Sequence, residues 1–84
     1  MNVRVRFFAA AREAAGASTL ELDVPLGTTV RGLIALIGQR CGERVRAELA
    51  TAGTRIALNQ ELIDDDPSLS GGDEIAFMPP VTGG

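Results

Sequence analysis

The first quarter of the chain alternates between apolar and polar residues, the pattern of a strand with one buried face. The apolar face of residues 2–9 consists of Val3, Val5 and Phe7. Residues 19–24 alternate again, and residues 10–15 between them suit a short helical turn that ends at Gly16. The pattern predicts two antiparallel strands joined by a loose, partly helical loop.

A helical pattern follows, because five apolar residues recur at spacings of three or four and form one continuous face. That face consists of Val30, Leu33, Ile34, Ile37 and Cys41. Thr28 or Thr29 is placed to cap this helix at its start, and Gly42 is placed to end it. Gly32 and Gly38 weaken the helix by up to ~1 kcal/mol each relative to alanine, and we expect them to allow close approach to the sheet.

The middle of the second half contains shorter elements. A second helical segment is expected over residues 43–50, and a strand over residues 54–58. Asn59 and Gln60 then suit a tight turn into another strand at residues 61–63. These elements predict a small hairpin after the helical region.

The three aspartates at residues 64–66 precede the last strand. Asp66 is a good capping residue followed by Pro67, which predicts a single helical turn that begins at the proline. The aspartates have two interpretations, a solvated turn or a site for a hard cation, although the calcium-loop pattern is missing. Residues 73–78 then alternate once more and predict a strand with Ile75 and Phe77 on its inner face.

The predicted order is β, β, α, a short helical segment, and then β, β, β. One main helix packed across one mixed sheet of about five strands is the most compact arrangement of these parts. The first and last strands are expected to run parallel if they are neighbours, because the connection between them contains the helix. The sequence therefore predicts an α+β fold of the β-grasp, or ubiquitin-like, type over residues 1–78, with an extended tail at residues 79–84.

The tail has unusual backbone properties. Pro79 and Pro80 have a fixed φ and favour extended neighbours, so they project the following residues away from the domain. Gly83 and Gly84 lack a Cβ and fit a narrow channel, and the four residues after Pro80 reach roughly 13 Å when extended. The pattern indicates a terminal carboxylate presented on a tether to another enzyme. A frayed chain end without a role is the plainer interpretation, and it is also open.

Composition excludes several classes of function. The chain has no histidine and a single cysteine, so it cannot build a structural zinc site and lacks a typical general base near neutral pH. A net charge of −3 without a basic run argues against a nucleic-acid partner. No apolar run suggests a membrane segment, and the lack of a cysteine framework fits a reducing compartment, so we expect a cytoplasmic protein.

Two features of composition have both a plain and a functional interpretation. All 8 basic residues are arginine, which either protects an activated C-terminus from side-chain amines or reflects a bias toward Ala, Gly, Arg and Val. Cys41 is either a small core residue on the apolar helix face or a reactive thiol. The second role would call for a neighbouring cation or base, which the sequence does not place beside it.

The outer face of the predicted sheet carries candidate binding residues. Phe8 and Met78 become neighbours there if the end strands pair, and Leu62 joins them if Ile63 points inward. An apolar cluster beside the root of the tail is typical of a partner-docking site, unless loops cover it. On the same face, we expect Arg4 and Arg6 to lie opposite Glu21 and Asp23. These charges either form cross-strand ion pairs or recognise a partner.

Four segments of the chain carry a family resemblance. They are Phe7-Phe8-Ala9 with Arg12-Glu13, then Leu58-Asn59-Gln60, then residues 72–77, and finally residues 79–84. Together they resemble the MoaD/ThiS family of ubiquitin-like sulfur carriers, and within it the small subunits of molybdopterin synthases. The resemblance covers essentially the whole chain in order, with Met78 at a position where the family often has an aromatic residue.

The resemblance implies a mechanism in which this chain is a non-catalytic carrier. An adenylyltransferase related to ubiquitin-activating enzymes would adenylate the Gly84 carboxylate, and a sulfur donor protein would supply the sulfur of a thiocarboxylate. The tail would then enter the large synthase subunit and give its sulfur to cyclic pyranopterin monophosphate. On this interpretation the chain binds no cofactor or metal itself, since the ATP, magnesium and pterin sites belong to its partners.

The implied site residues form three groups. Gly84 carries the reacting carboxylate. The residues that enter the active site of the partner are Pro79, Pro80, Val81, Thr82 and Gly83. The residues that bind the partner are Phe8, Arg12, Leu62 and Met78.

Three other functions are open from the sequence. They are a sulfur carrier for another pathway such as thiazole synthesis, a protein modifier joined to lysines of its targets as ubiquitin is, and a simple binding module of β-grasp shape. The Pro-Pro-Val-Thr ending and the early Phe-Phe-Ala run favour the pterin pathway over thiazole synthesis.

Overall fold

A computed structural model describes residues 1–79, which form five strands and three helices. In chain order these are β1 (Asn2–Phe7), α1 (Ala9–Ala15), β2 (Thr19–Asp23), α2 (Val30–Cys41), α3 (Glu43–Leu49), β3 (Arg55–Leu58), β4 (Glu61–Ile63) and β5 (Glu74–Met78). The strands form one sheet in the order β2-β1-β5-β3-β4, in which β1 and β5 are parallel and the other pairs antiparallel. The predicted α+β arrangement and the parallel pairing of the first and last strands are confirmed.

One face of the sheet is buried along its central strands and half-buried toward its edges. The deepest residues of β1 and β5, each at most 2% exposed, are Val3, Val5, Phe7, Ile75 and Phe77. Helix α2 covers them with Val30, Leu33 and Ile37, and Cys41 at its end is half-buried against the same core with a free thiol. Since burying one such side chain contributes about 1.5–3 kcal/mol, this inner face supplies most of the driving force for folding.

Two side chains cap the start of α2. The Thr29 hydroxyl oxygen accepts a hydrogen bond from the backbone N–H of Gly32 at 3.2 Å, which selects Thr29 over Thr28 as the cap. Asp66 Oδ1 accepts a second one from the backbone N–H of Arg31 at 2.8 Å, across a separation of 35 residues. The negative carboxylate also interacts favourably with the positive end of the helix dipole.

The prediction of a helical turn at Pro67 is therefore wrong, because Asp66 caps α2 and not a helix of its own. The segment after Asp66 runs extended beside the start of α2. Leu69 donates a backbone hydrogen bond to the carbonyl of Thr28 at 2.8 Å, and Val30 donates to the carbonyl of Pro67 at 3.3 Å. These bonds to a distant part of the chain satisfy backbone groups that a local helical turn would otherwise pair.

Gly38 brings α2 close to α3. A Cβ at Gly38 would lie 2.9 Å from the Cβ of Arg46, whereas a Cβ at Gly32 would meet nothing nearer than a methyl group of Thr28 at 3.4 Å. The expectation that these glycines serve the sheet is wrong, since the close neighbour of Gly38 is the next helix. No helix within residues 1–79 has both the length and the apolar character needed to cross a membrane.

A network of hydrogen bonds fixes the start of β5. Asn59 and Gln60 have left-handed φ values of 51° and 71°, which confirms the predicted tight turn between β3 and β4. The Asn59 side chain accepts from the backbone N–H of Glu74 and donates to Asp73, both at 2.9 Å, and Asp73 accepts from the backbone N–H of Ser70 at 2.7 Å. Two segments of the family resemblance thus meet here and set the register of β5 against β3.

Candidate functional site

The position of β5 between β1 and β3 determines which side chains meet on the outer face of the sheet. In the register, Arg6 lies opposite Ala76, and Met78 lies opposite Arg55. Phe8 directly follows β1 and lies beside Met78 at the end of the parallel pair. An open cavity of about 390 Å³ lies over these residues, and we call it the outer-face cleft. Its apolar lining consists of Phe8, Ala57, Leu62, Ala76, Met78 and Pro79.

The outer-face cleft unites three of the four residues that the sequence marked as partner-binding. Leu62 is 54% exposed, and Phe8 and Met78 are half-buried, so loops do not cover this part of the described structure. The prediction that these three side chains share one surface agrees with the structure. Large apolar side chains left open to water beside a polar rim are typical of protein-binding surfaces.

Charged side chains form the rim of the outer-face cleft. The Arg6 guanidinium lies over the ring of Phe8, 5.3 Å from its centroid, and forms an ion pair with Glu74 at 3.8 Å. Arg55 and Gln60 complete the rim. The Arg6 side chain therefore orients Phe8 while presenting a positive charge at the edge of the cleft.

The ion pairs expected across β1 and β2 are partly correct. Arg4 pairs with Glu21 at 3.4 Å, as predicted. The expected pairing of Arg6 with Asp23 is wrong, because the register places Thr19 opposite Arg6 and Asn2 opposite Asp23. Asp23 instead lies 3.4 Å from the amino group of Met1. Arg6 therefore has no carboxylate opposite it on β2, and its side chain lines the outer-face cleft instead.

The remaining predicted site residues lie apart from this cleft or beyond the described chain. Arg12 is exposed on α1 and does not line the outer-face cleft, so its role stays a prediction. Pro79 lines the cleft and is exposed. Pro80, Val81, Thr82, Gly83 and Gly84 lie outside the described residues. The chain thus passes directly from the edge of the cleft into the segment that sequence analysis identified as the tail.

The chemistry of the cleft is that of a docking surface. Its lining includes neither a cysteine nor a histidine, and its charged groups are two arginines and one glutamate. Within residues 1–79, no group of three or more Cys, Asp or Glu side chains is arranged to hold a metal ion. The side chains that line the outer-face cleft are therefore suited to binding another surface.

Sequence reasoning missed two contributors to the cleft. Ala57 and Ala76 lie on the outer face, yet they are only 7% and 8% exposed. They lie in adjacent strands, paired with one another, and form the floor between the larger side chains. Alanine at both positions on neighbouring strands is the signal that could have revealed a depression in an otherwise bulky face.

Known proteins match the chain over its whole length. The model of the ThiS family matches residues 5–84. A molybdopterin synthase sulfur carrier subunit from Escherichia coli (strain K12) is 37% identical, over 98% of this chain and 99% of that protein. Two solved structures align with 100% of both chains. SAMP1 from Haloferax volcanii is 27% identical with a TM-score of 0.82, and a chain from the complex of subunits 1 and 2 of the molybdopterin-converting factor of Helicobacter pylori 26695 is 29% identical with a TM-score of 0.69.

Proposed function

This chain belongs to the ThiS family, and on that premise we propose that it is the sulfur carrier subunit of a molybdopterin synthase. The observation that carries the proposal is the course of β5, which ends at an open apolar cleft and leads straight into a proline-proline and glycine-glycine ending. The full-length similarity to a protein named as such a subunit supports it. The resemblance found in the sequence is thereby confirmed at the level of the family.

The proposed chemistry begins with activation of the Gly84 carboxylate. One carboxylate oxygen attacks the α-phosphorus of ATP on an adenylyltransferase, pyrophosphate leaves, and a mixed anhydride with AMP forms. A sulfur atom at the oxidation level of sulfide, delivered by a donor protein, then attacks the acyl carbon. The carbon–sulfur bond forms, the bond to AMP breaks, and the tail ends in a thiocarboxylate. ATP and magnesium are bound by the activating partner.

Transfer restores the carrier. The thiocarboxylate sulfur forms a bond to a carbon of cyclic pyranopterin monophosphate in the large subunit while a carbon–oxygen bond of that substrate breaks and the oxygen leaves with a proton. Water then attacks the acyl carbon and cleaves the acyl carbon–sulfur bond, which leaves the sulfur on the pterin. The Gly84 carboxylate is regenerated, and two such deliveries supply both sulfur atoms of the product. Reacting atoms must approach to about 3–3.5 Å, and the missing Cβ at Gly84 keeps the acyl carbon accessible.

Docking through the outer-face cleft accounts for the energetics of tail insertion. Ordering each tail residue costs about 1–2 kcal/mol of backbone entropy. Burying apolar area contributes about 25 cal/mol per Å², so the exposed parts of Phe8, Leu62 and Met78 offset part of that cost. A complex between two subunits of a molybdopterin-converting factor is known for the Helicobacter pylori relative, which supports a large-subunit partner here.

Mass spectrometry of the protein isolated from its own cells tests the proposal. We expect a species in which one oxygen of Gly84 is replaced by sulfur. Gly84→Ala should lose this species or fail to transfer its sulfur. Gly71→Ala, the matched control, should retain both abilities because its Cβ would meet only an ordinary contact at 3.6 Å. A wild-type protein that never carries sulfur would refute the proposal, and normal transfer by Gly84→Ala would refute the steric argument.

A second candidate function is favoured by one comparison. The similarity to SAMP1, at a TM-score of 0.82 over both whole chains, would suit a protein modifier joined to amines of its targets. Covalent conjugates that survive denaturing electrophoresis and disappear when Gly84 is deleted would support this function. Their absence in cells that accumulate the thiocarboxylate would leave sulfur transfer as the function.

The proposal also includes a cytoplasmic location. The nucleotide and the donor protein it requires are intracellular, and the unpaired Cys41 is compatible with a reducing compartment.

A further inference from the structure

A second cavity lies on the other side of the root of the tail, between α1 and the chain that follows α3. Its volume is about 130 Å³, the size of one side chain, and we call it the helix-side cleft. Its lining includes Ala9, Ala10, Ala11, Leu49, Phe77 and Met78. Leu49 and Phe77 belong to the buried core, so the floor of this cleft is the edge of the core itself. This cavity was not predicted from the sequence.

The polar side chains that border the helix-side cleft are Glu48, Thr51 and Thr54, and both threonine hydroxyls are already engaged. The Thr51 hydroxyl donates to the carbonyl of Ala47 at 3.0 Å, and the Thr54 hydroxyl donates to the carbonyl of Glu48 at 3.4 Å. Both threonines line the cleft, yet their hydroxyl protons point to the backbone. The cleft therefore suits an apolar occupant better than a polar ligand.

The wall formed by α1 is built from unusually small side chains. Ala9 and Ala10 are exposed, although they border an apolar cavity, and Ala9 has a left-handed φ of 52°. A positive φ is uncommon for a residue with a Cβ, and such conformations concentrate at binding sites. Here it turns the chain from β1 into α1 so that the first helical turn stands beside the cleft and does not fill it.

The two clefts share part of their lining at the point where the tail begins. Met78 and Pro79 line both of them, with the outer-face cleft on one side of the sheet and the helix-side cleft on the other. A partner that encloses the tail as far as Pro79 must contact both sides of this segment. The tail itself is a poor candidate for the helix-side cleft, because two successive prolines oppose an immediate reversal of the chain.

We propose that the helix-side cleft receives one apolar side chain of the second synthase subunit, so that this subunit holds the root of the tail from both sides. The inference rests on the proposed function, since the occupant belongs to the partner implied there. An aliphatic or aromatic anchor in a small pocket is the usual form of an interface hot spot. Gripping both sides of Met78 and Pro79 would fix the direction in which the tail enters the partner.

The proposal can be tested by substitutions that place a larger side chain in the helix-side cleft. Ala10→Leu adds an isobutyl group to an exposed helical position at the cleft wall, and Ala35→Leu makes the same change at an exposed position of α2 away from both clefts. In titration calorimetry with the second subunit, Ala10→Leu should weaken binding by about tenfold or more, while Ala35→Leu stays within about twofold of wild type. Ala10→Glu should weaken binding further, because it adds a second carboxylate beside Glu48 at a cleft with an otherwise largely apolar lining.

The outcomes separate this inference from the proposed function. Leu62→Ala serves as the probe of the outer-face cleft and should weaken binding independently. If Leu62→Ala weakens binding while both Ala10 variants bind like wild type, the helix-side cleft is not part of the interface and the proposed function stands. If wild type itself does not bind the second subunit, the inference and the proposed partner both fail.

One further measurement addresses the tail as a rival occupant. Amide chemical shifts of Ala9, Ala10 and Ala11 in the free protein should be unaffected when residues 82–84 are deleted, a truncation that keeps the new carboxylate two residues away from Pro79 in the cleft lining. Changes at all three positions would place the chain's own tail in the cleft and overturn the proposal.

Discussion

Phe7 and Phe8 are neighbours in the chain and lie on opposite sides of the same sheet. Phe7 is 2% exposed beneath α2, whereas Phe8 is half-buried in an open cleft with an arginine over its ring. The same contrast holds at the next strand, where Phe77 is buried in the core and Met78 borders the outer-face cleft. One face of the sheet supplies stability, and the other keeps apolar area available for a partner.

The comparison explains how 84 residues serve both purposes. A domain of this size buries only about 60–65% of its unfolded surface, so it has few apolar residues to spare. Because successive residues of a strand point to opposite faces, some apolar residues enter the core and others reach the outer face, and no separate binding loop is needed. The division also predicts that substitutions on the two faces have different consequences.

The largest effect is expected on the inner face. Phe77→Ala removes a fully buried ring and should lower the free energy of unfolding by about 3–5 kcal/mol, as large-to-small changes in cores do. Met78→Ala, one residue later on the outer face, should lower it by less than about 1.5 kcal/mol. Urea unfolding followed by circular dichroism measures both. Equal losses at the two positions would contradict the division between the faces.

On the outer face, Phe8→Asp should affect binding and spare the fold. Phe8 is the N-cap residue of α1 and makes no capping hydrogen bond, so an aspartate there gains a favourable cap. We expect the free energy of unfolding to change by less than about 1 kcal/mol and the affinity for the second subunit to fall by about thirtyfold or more.

Phe8→Asn is the matched control for that experiment, because it provides the cap without the charge. It should also bind weakly, since both variants lack the ring. Unchanged affinity for both variants in titration calorimetry would remove Phe8 from the interface.

An intermediate effect is expected in the helical layer that covers the inner face. Gly38→Ala places a Cβ 2.9 Å from the Cβ of Arg46, and the two helices must move apart to accept it. Overpacking of this kind typically costs about 1–3 kcal/mol and should outweigh the helix propensity gained, which is up to ~1 kcal/mol. Gly32→Ala is the control in the same helix and should be neutral or stabilising. Stabilisation by both changes in thermal unfolding would show that the contact between α2 and α3 yields easily.

The smallest effect is expected where neither face is involved. A side-chain hydrogen bond from Arg46, reinforced by its charge, lowers the pKa of Glu43 below the ordinary glutamate value. The pair therefore adds stability above the pKa of the unfolded chain and loses it as the pH falls through the lower folded pKa.

Glu43→Gln should accordingly leave stability at neutral pH nearly unchanged, because exposed ion pairs contribute little. It should also flatten the decline in melting temperature between about pH 5 and about pH 3 relative to wild type. An identical acid decline in both proteins would show that the pair does not contribute.

The helices and strands that show a regular spacing of apolar residues were predictable from the sequence. The strands and α2 appear where alternation and the three-to-four spacing placed them, since both patterns report which face of an element is buried. Contacts between distant segments were not predictable in this way. Asp66 accepts its capping hydrogen bond from Arg31, 35 residues earlier in the chain, and nothing near Asp66 in the sequence distinguishes that role from a local cap.

The outer-face cleft was predictable from the sequence, and the helix-side cleft was not. Phe8, Leu62 and Met78 could be placed together because strand parity and the parallel rule for the end strands fix their face. The helix-side cleft could not be predicted, because it is formed by the packing of α1, the end of α3 and β5, which are distant from one another in the sequence. The left-handed conformation of Ala9, at the wall of this cleft, could not be predicted from the sequence either, since alanine has no preference for it.

The central place of β5 has a mechanical consequence. This strand is hydrogen-bonded to β1 on one side and to β3 on the other, and in the sequence it is followed directly by residues 79–84. A pull directed along β5 would therefore load both ladders in shear, so that many hydrogen bonds must break together before the strand slips. Force applied along β5 is thus shared by two neighbouring strands, whereas an edge strand would have only one ladder to resist it.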